Sequence, residues 1–168
     1  MADVKITDLT LGATPLTGTE LLEIVQSGTS LKITSQDIAN LATRTTKVTL
    51  SSAEILALFT TPKTLVAAQG ANTVIQLISV MANYNFNTTA YSTSTDLQFS
   101  IGNWAGLVTI SSILANTGNK IYTVLSSPTN GDPSGITNTA LRVIAPSGNP
   151  ITGNSTVDLY VTYKVISL

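Results

Sequence analysis

Between Thr156 and Ile166 the chain alternates without a break: Val157, Leu159, Val161, Tyr163 and Val165 fall on one face, and Thr156, Asp158, Tyr160, Thr162 and Lys164 on the other. A period of two held over that length fits a half-buried β-strand and no helix. Its place after every other strand-like run suggests a strand locked inside a sheet. From Thr64 onward the same texture recurs, with runs of Val, Ile, Thr, Leu and Tyr separated by Gly, Asn, Pro and Ser clusters. The longest run, Val74 to Phe86, puts Val74, Ile78, Val80, Ala82, Tyr84 and Phe86 on one face with Gln76 as its only polar member. The opposite face begins with Ile75 and Leu77 and turns polar through Ser79, Asn83 and Asn85. The first face is therefore expected to be core throughout. Asp96–Ile101, Leu107–Ile110, Lys120–Leu125 and Thr139–Ala145 are further strand candidates. About eight strands with close turn signals and no long helices between them predict a mainly β fold, an antiparallel β-sandwich of jelly-roll type. The order of the strands is not readable from periodicity.

Charge divides the chain unevenly. Ten of the seventeen charged residues lie between Asp3 and Glu54, and the 114 positions after Glu54 hold only Lys63, Asp96, Lys120, Asp132, Arg142, Asp158 and Lys164. The later region exposes Thr, Ser and Asn instead, a surface compatible with packing against copies of itself. The boundary is expected in the polar stretch Ala42–Thr46, giving an N-terminal segment 1–46 and a β-sandwich head 47–168. In the first segment Leu21–Gln26 and Leu31–Thr34 read as a hairpin around Ser27–Ser30, where Gly28 supplies a permissive backbone. Thr34 or Ser35 can cap a short helix through Leu41, with Asp37 in its first turn. In the second region Ser51–Glu54 has the spacing of a capping box in front of Ile55–Phe59, and Pro62 ends the helical turns.

Residues Ile6 to Leu41 add a resemblance. The order Pro15-Leu-Thr-Gly-Thr-Glu-Leu21, strand, Gly28 turn, strand and short polar helix resembles the N-terminal adaptor of tail-fibre and related virion proteins of tailed bacteriophages. The resemblance implies a structural virion protein, a homotrimeric fibre or capsid decoration, that attaches to other virion proteins through residues 1–46. Its head would face the host surface or the capsid, and its location would be the virion after synthesis in a host cytoplasm. The alternative is a receptor-binding module that holds a host-surface glycan.

Composition argues against an enzyme. With no His and no Cys the usual proton shuttle, thiol nucleophile and soft metal ligands are missing. Ser is plentiful, but no G-x-S-x-G elbow is present. The acids from Glu54 on are Glu54, Asp96, Asp132 and Asp158, of which Asp132 sits in the turn sequence Asn130-Gly-Asp-Pro133 and Asp158 lies on a strand face with Lys164, where cross-strand charge pairing is the ordinary explanation. Gly12–Gly18 lacks the Lys-Ser/Thr ending of a phosphate loop, and Asn130–Asp132 offers too few oxygens for calcium. No cofactor or metal is expected. A net charge of −1 with scattered basic residues gives no footprint for nucleic acid, and no apolar run is long enough to predict membrane insertion.

Binding by such a head would use rings and amides on loops. Gly102-Asn-Trp-Ala-Gly106 sets the only Trp between glycines, Asn87–Tyr91 places a Tyr in a polar loop, and Ser126–Gly135 is the longest turn-rich stretch. Tyr91, Trp104, Asn130 and Asp132 are accordingly the candidate receptor or interface contacts. For Trp104 a plug in the sandwich or in a subunit interface is the competing role, and for Ser126–Gly135 a plain connecting loop.

Overall fold

The computed structural model describes residues 21–26, 29–35, 38, 43–102, 104–126 and 135–168, without the side chains of 23–26, 29–31, 104 and 105. The chain divides into two compact units, Met1–Ala42 and Thr43–Leu168. In the first, β1 (Leu21–Gln26) and β2 (Thr29–Thr34) form an antiparallel ladder from Leu21↔Thr34 to Gln26↔Thr29, the expected hairpin. Its turn at Ser27 and Gly28 lies outside the described residues. So does most of the expected helix Ser35–Leu41, of which Ser35 and Ile38 are helical.

The second unit is built from antiparallel strands and two short helical turns. β3 is Arg44–Leu50, α1 Ser52–Leu56, β4 Lys63–Val66, β5 Thr73–Asn85, β6 Tyr91–Ser92 and β7 Leu97–Ile101. After these come β8 (Trp104–Ile110), a 3-10 turn at Ile113–Ala115, β9 (Lys120–Leu125), β10 (Leu141–Ile144), β11 (Ile151–Thr152) and β12 (Thr156–Ser167). Two four-stranded sheets result, ordered β3-β12-β5-β9 and β4-β10-β7-β8, with β6 and β11 as a minor pair. The pairing is nested: β7 pairs with β8, and outward from that hairpin β5 pairs with β9, β4 with β10 and β3 with β12. Bonds between β12 and β5 and between β10 and β7 then close the two sheets.

Both sheets feed one buried cluster. Val157, Leu159 and Val161 of β12 and Val80, Ala82 and Tyr84 of β5 share it with Leu97 and Phe99 of β7 and Leu141 and Val143 of β10. Tyr84 is fully buried, and its hydroxyl donates to Leu114 O at 3.2 Å, so its polar end is satisfied inside the core. Burying each large apolar side chain stabilises by about 1.5–3 kcal/mol. The two ion pairs among the described residues, Lys47–Asp158 and Lys63–Glu54, are partly exposed and screened by solvent, so they add little. Apolar burial therefore decides the fold.

Two expectations need correction. Val74 to Phe86 does not keep one face in the core. Ile75 and Leu77 are buried, and beyond them the buried set is Val80, Ala82 and Tyr84. The ladder explains the switch: Thr162 faces Ser79 but Tyr163 faces Leu77, so Ile78 is an extra residue in β5 and its neighbours change sides. Ser126 secures the bulge, its N–H donating to Ile78 O at 3.0 Å and its hydroxyl to Leu77 O at 2.7 Å. The second correction concerns Ala42–Thr46. Arg44, Thr45 and Thr46 are not linker but the first residues of β3, paired with Tyr163, Thr162 and Val161. The boundary falls between Ala42 and Thr43.

A fragment Thr43–Leu168 should melt cooperatively, whereas Lys47–Leu168, which lacks three ladder positions of β3, should be less stable by ~1–3 kcal/mol, since each lost hydrogen bond costs about 1 kcal/mol. Thermal denaturation of the two fragments checks this; equal melting temperatures would show that Arg44–Thr46 contribute nothing to the sheet.

Candidate interaction surface

Tyr91 is not displayed on a loop. Its ring is 3% exposed, its backbone pairs with Thr152, and its hydroxyl donates to Ser155 O at 2.6 Å. Burial, and then the neighbouring Tyr84, push the phenol up to about 12. A Cβ on Gly153 would lie 2.2 Å from the ring's Cδ1, and Gly153 has φ +62°, so both space and backbone call for glycine there. The polar loop Asn87–Ala90 is tied down by Asn154, whose side-chain oxygen accepts from Thr88 N at 3.2 Å and Thr89 N at 3.1 Å. Trp104 is the first residue of β8 and its backbone pairs with Ile101 of β7, while Asn103 lies outside the described residues. Gly102, at φ +54°, lies against the backbone of Gly135, where a Cβ would meet Gly135 O at 1.9 Å. Asn130 and Asp132 lie outside the described residues.

The structure instead assembles polar side chains on the outward face of the sheet β3-β12-β5-β9. Register sets three rows across its four strands: Thr49–Asp158–Asn83–Ile121, Lys47–Tyr160–Met81–Thr123 and Thr45–Thr162–Ser79–Leu125. Asp158 organises the first two strands. Its carboxylate accepts from Thr49 Oγ1 at 2.5 Å, pairs with Lys47 Nζ at 3.2 Å and accepts from Asn85 Nδ2 at 3.4 Å. The Thr49 hydroxyl foremost, then Lys47 and Asn85, hold its carboxyl below the usual range against the opposing effect of burial. Lys47 also lies 5.5 Å from the centre of the Tyr160 ring. Charge pairing across strands is thus the role of Asp158, as its place on the strand face led one to expect, and the partner is Lys47 on β3. Toward β9 the face turns apolar, with Ile121 68% and Leu125 76% exposed and Met81 next to them.

A second feature surrounds α1. Ser51 caps the turn, its hydroxyl accepting from Glu54 N while Glu54 Oε2 accepts from Ser51 N at 2.9 Å, the expected capping box. Glu54 also pairs with Lys63. Ala53, Glu54, Ala57, Thr61, Pro62 and Lys63 line a depression of about 400 Å³. Lys63 first, then the Ser51 N–H and hydroxyl, hold the Glu54 carboxyl down at about 2.

The acids of these two places stay apart, and among the described residues no three His, Cys, Asp or Glu side chains gather into a metal-holding group. No described helix is long and apolar enough to cross a membrane. Tyr160, Asn83 and Lys47 were missing from the sequence-level candidates. Strand alternation alone put Tyr160 and Asp158 on one face, but their neighbours come from β3 and β5, far off in sequence. Comparison with protein-family models, curated proteins and solved structures finds no match.

Tyr91→Phe should cost ~1–2 kcal/mol by leaving a buried carbonyl unpaired, and Gly153→Ala about 2 kcal/mol or more through clash and backbone strain. Urea melts check both, and a neutral Gly153→Ala would contradict the packing described. For Glu54 the sign follows from its depressed value: stability is present above the ordinary 4.5 and is lost as pH falls toward about 2. Glu54→Gln should therefore be less stable than the native chain near neutral pH, by ~1 kcal/mol or less because solvent screens the half-open pair, and the difference should vanish near pH 2.

Proposed function

We propose that this chain is a structural virion protein of a tailed bacteriophage, in which residues 1–42 attach to other virion proteins and the β unit that follows is the exposed head. The single observation carrying this reading is the division of the chain. A charged segment with an adaptor-like sequence and a two-stranded hairpin precedes a separate unit with its own large core. A lone hairpin is marginal in water, so an attachment segment that orders against a partner fits the first unit well. The nested strand order of the second, β3-β12-β5-β9 facing the same core as β4-β10-β7-β8, supports a jelly-roll head. Three-fold assembly, which the fibre resemblance implies, belongs to the same proposal. So does a non-enzymatic role, for which the outward sheet face speaks: its one carboxylate, Asp158, is already engaged by Thr49, Lys47 and Asn85.

The test is complementation of particles that lack the protein, followed by gold labelling. The full chain should incorporate and decorate one defined part of the particle, while the fragment Thr43–Leu168 should not. Absence of label from purified particles would overturn the virion reading, and incorporation of the fragment alone would move the attachment role from the first unit to the head.

A further inference from the structure

We propose that β9 is an edge through which two copies of this chain join, antiparallel and centred on Thr123, to make one continuous eight-stranded sheet. This goes beyond the virion reading and does not depend on it. The two four-stranded sheets have four edge strands, β3, β9, β4 and β8. Exposed edges invite pairing, and proteins blunt them with charges, brevity or bulges. Three of the four are blunted. β3 presents Lys47 in the middle of its outward face and begins with Arg44; β4 has only four residues and begins with Lys63. β8 is irregular, its ladder with β7 shifting between Phe99 and Ile101 around Gly106 at φ +78°. β9 has none of these devices. It is regular, and its only charge is Lys120 at its start.

The backbone of β9 is also turned the right way. Antiparallel neighbours bond through alternate residues. Ser126 N donates to Ile78 O, and Phe86 N donates to the Asn119 side chain, so the even residues of β5 face β9 on both sides of the ladder. Asn87 N donates to the Ser155 hydroxyl, which turns the odd residues toward β12. Val80, Ala82 and Tyr84 therefore bond Val124, Tyr122 and Lys120, and the N–H and C=O groups of Ile121, Thr123 and Leu125 point to the side of β9 on which no described strand pairs.

The side chains on that edge match a second copy of themselves. Around a two-fold axis at Thr123, Ile121 meets Leu125 of the other copy and Leu125 meets its Ile121, on the outward face where both are most exposed. On the inward side Tyr122 meets Val124, both already packed at the margin of the core. Lys120 falls opposite Ser126, so no like charges meet. The same operation on β3 would set Lys47 against Lys47, which like-charge repulsion disfavours. A self-complementary patch of this kind is the signature of an isologous contact.

Three variants of the full chain test it, using light scattering for mass and circular dichroism for fold. The native protein should contain an even number of chains, six where the three-fold assembly proposed above also holds. Ile121→Lys with Leu125→Lys puts Lys against Lys at both cross-strand positions and should halve the mass at unchanged β content. Ile121→Lys with Leu125→Glu puts opposite charges there and should restore it. The chain has no Cys, so Thr123→Cys under oxidation should give a disulfide-linked pair, because cross-strand Cα atoms at about 5.5 Å lie within disulfide reach. Thr109→Cys on β8 should not. An odd number of chains, a double-Lys variant of native mass, or failure of Thr123→Cys to cross-link would each overturn the pairing. A three-chain particle would do so while leaving the virion proposal standing.

Discussion

The second unit depends on the insertion of β12 between β3 and β5. This strand contributes Val157, Leu159 and Val161 to the core with no exposure, and among the described strands it alone joins β3, at the beginning of the unit, to the longest strand, β5. Without it, β3 would have no partner and β5 would lose one edge. The outward side of the same strand supplies Asp158 and Tyr160, so core and surface are ordered by one ladder. A period of two thus has consequences on both sides of the sheet: Leu159 holds the unit together, and the residues next to it organise the polar rows.

What could be read from the sequence was whatever local order determines. The Thr156–Ile166 alternation, Lys120–Leu125 as a strand, the Ser51–Glu54 capping box and the mainly β class all follow from spacing within a few residues. The failures share the opposite cause. Ile78 is an extra residue only relative to β12, so the change of face along β5 has no local signature. Arg44–Thr46 look like linker because they are polar, and they become strand because Thr45 pairs with Thr162, 117 positions later. Tyr91 sits in a polar context in sequence, yet the glycine that makes room for its ring, Gly153, is in a distant turn. The candidate surface was half legible: alternation placed Asp158 and Tyr160 together, and the register that adds Lys47, Thr49 and Asn83 was hidden.

The charge-poor composition also has a physical reading in the fold. Outward positions of the sheet are filled by Thr, Ser and Asn, which satisfy one another, as in Thr45–Thr162 at 3.0 Å and Asn83–Asn85 at 2.9 Å. Such a face is hydrated without being strongly repelled by a like face. A charged surface would keep copies apart more effectively. The one charged group at its centre, Lys47–Asp158, is neutral as a pair.

The nested pairing has a bearing on how the protein is made. Each pair outward from the β7–β8 hairpin closes a longer loop than the last, and the strand that completes the sheet of β3 and β5 is the last of the twelve to be synthesised. Chain connectivity of this kind makes folding slow relative to proteins with local contacts. While the ribosome is adding residues 86 to 119, the apolar run of β5 has neither of its neighbours, and after β9 has been made it still lacks β12 until residues 156 to 167 follow. A nascent chain therefore holds an incompletely paired, β-prone segment until its last strand is made, a state that favours aggregation over folding when copies are crowded. The sparse charges of this region offer it little protection, so the interval before β12 is added is when aggregation competes most directly with folding.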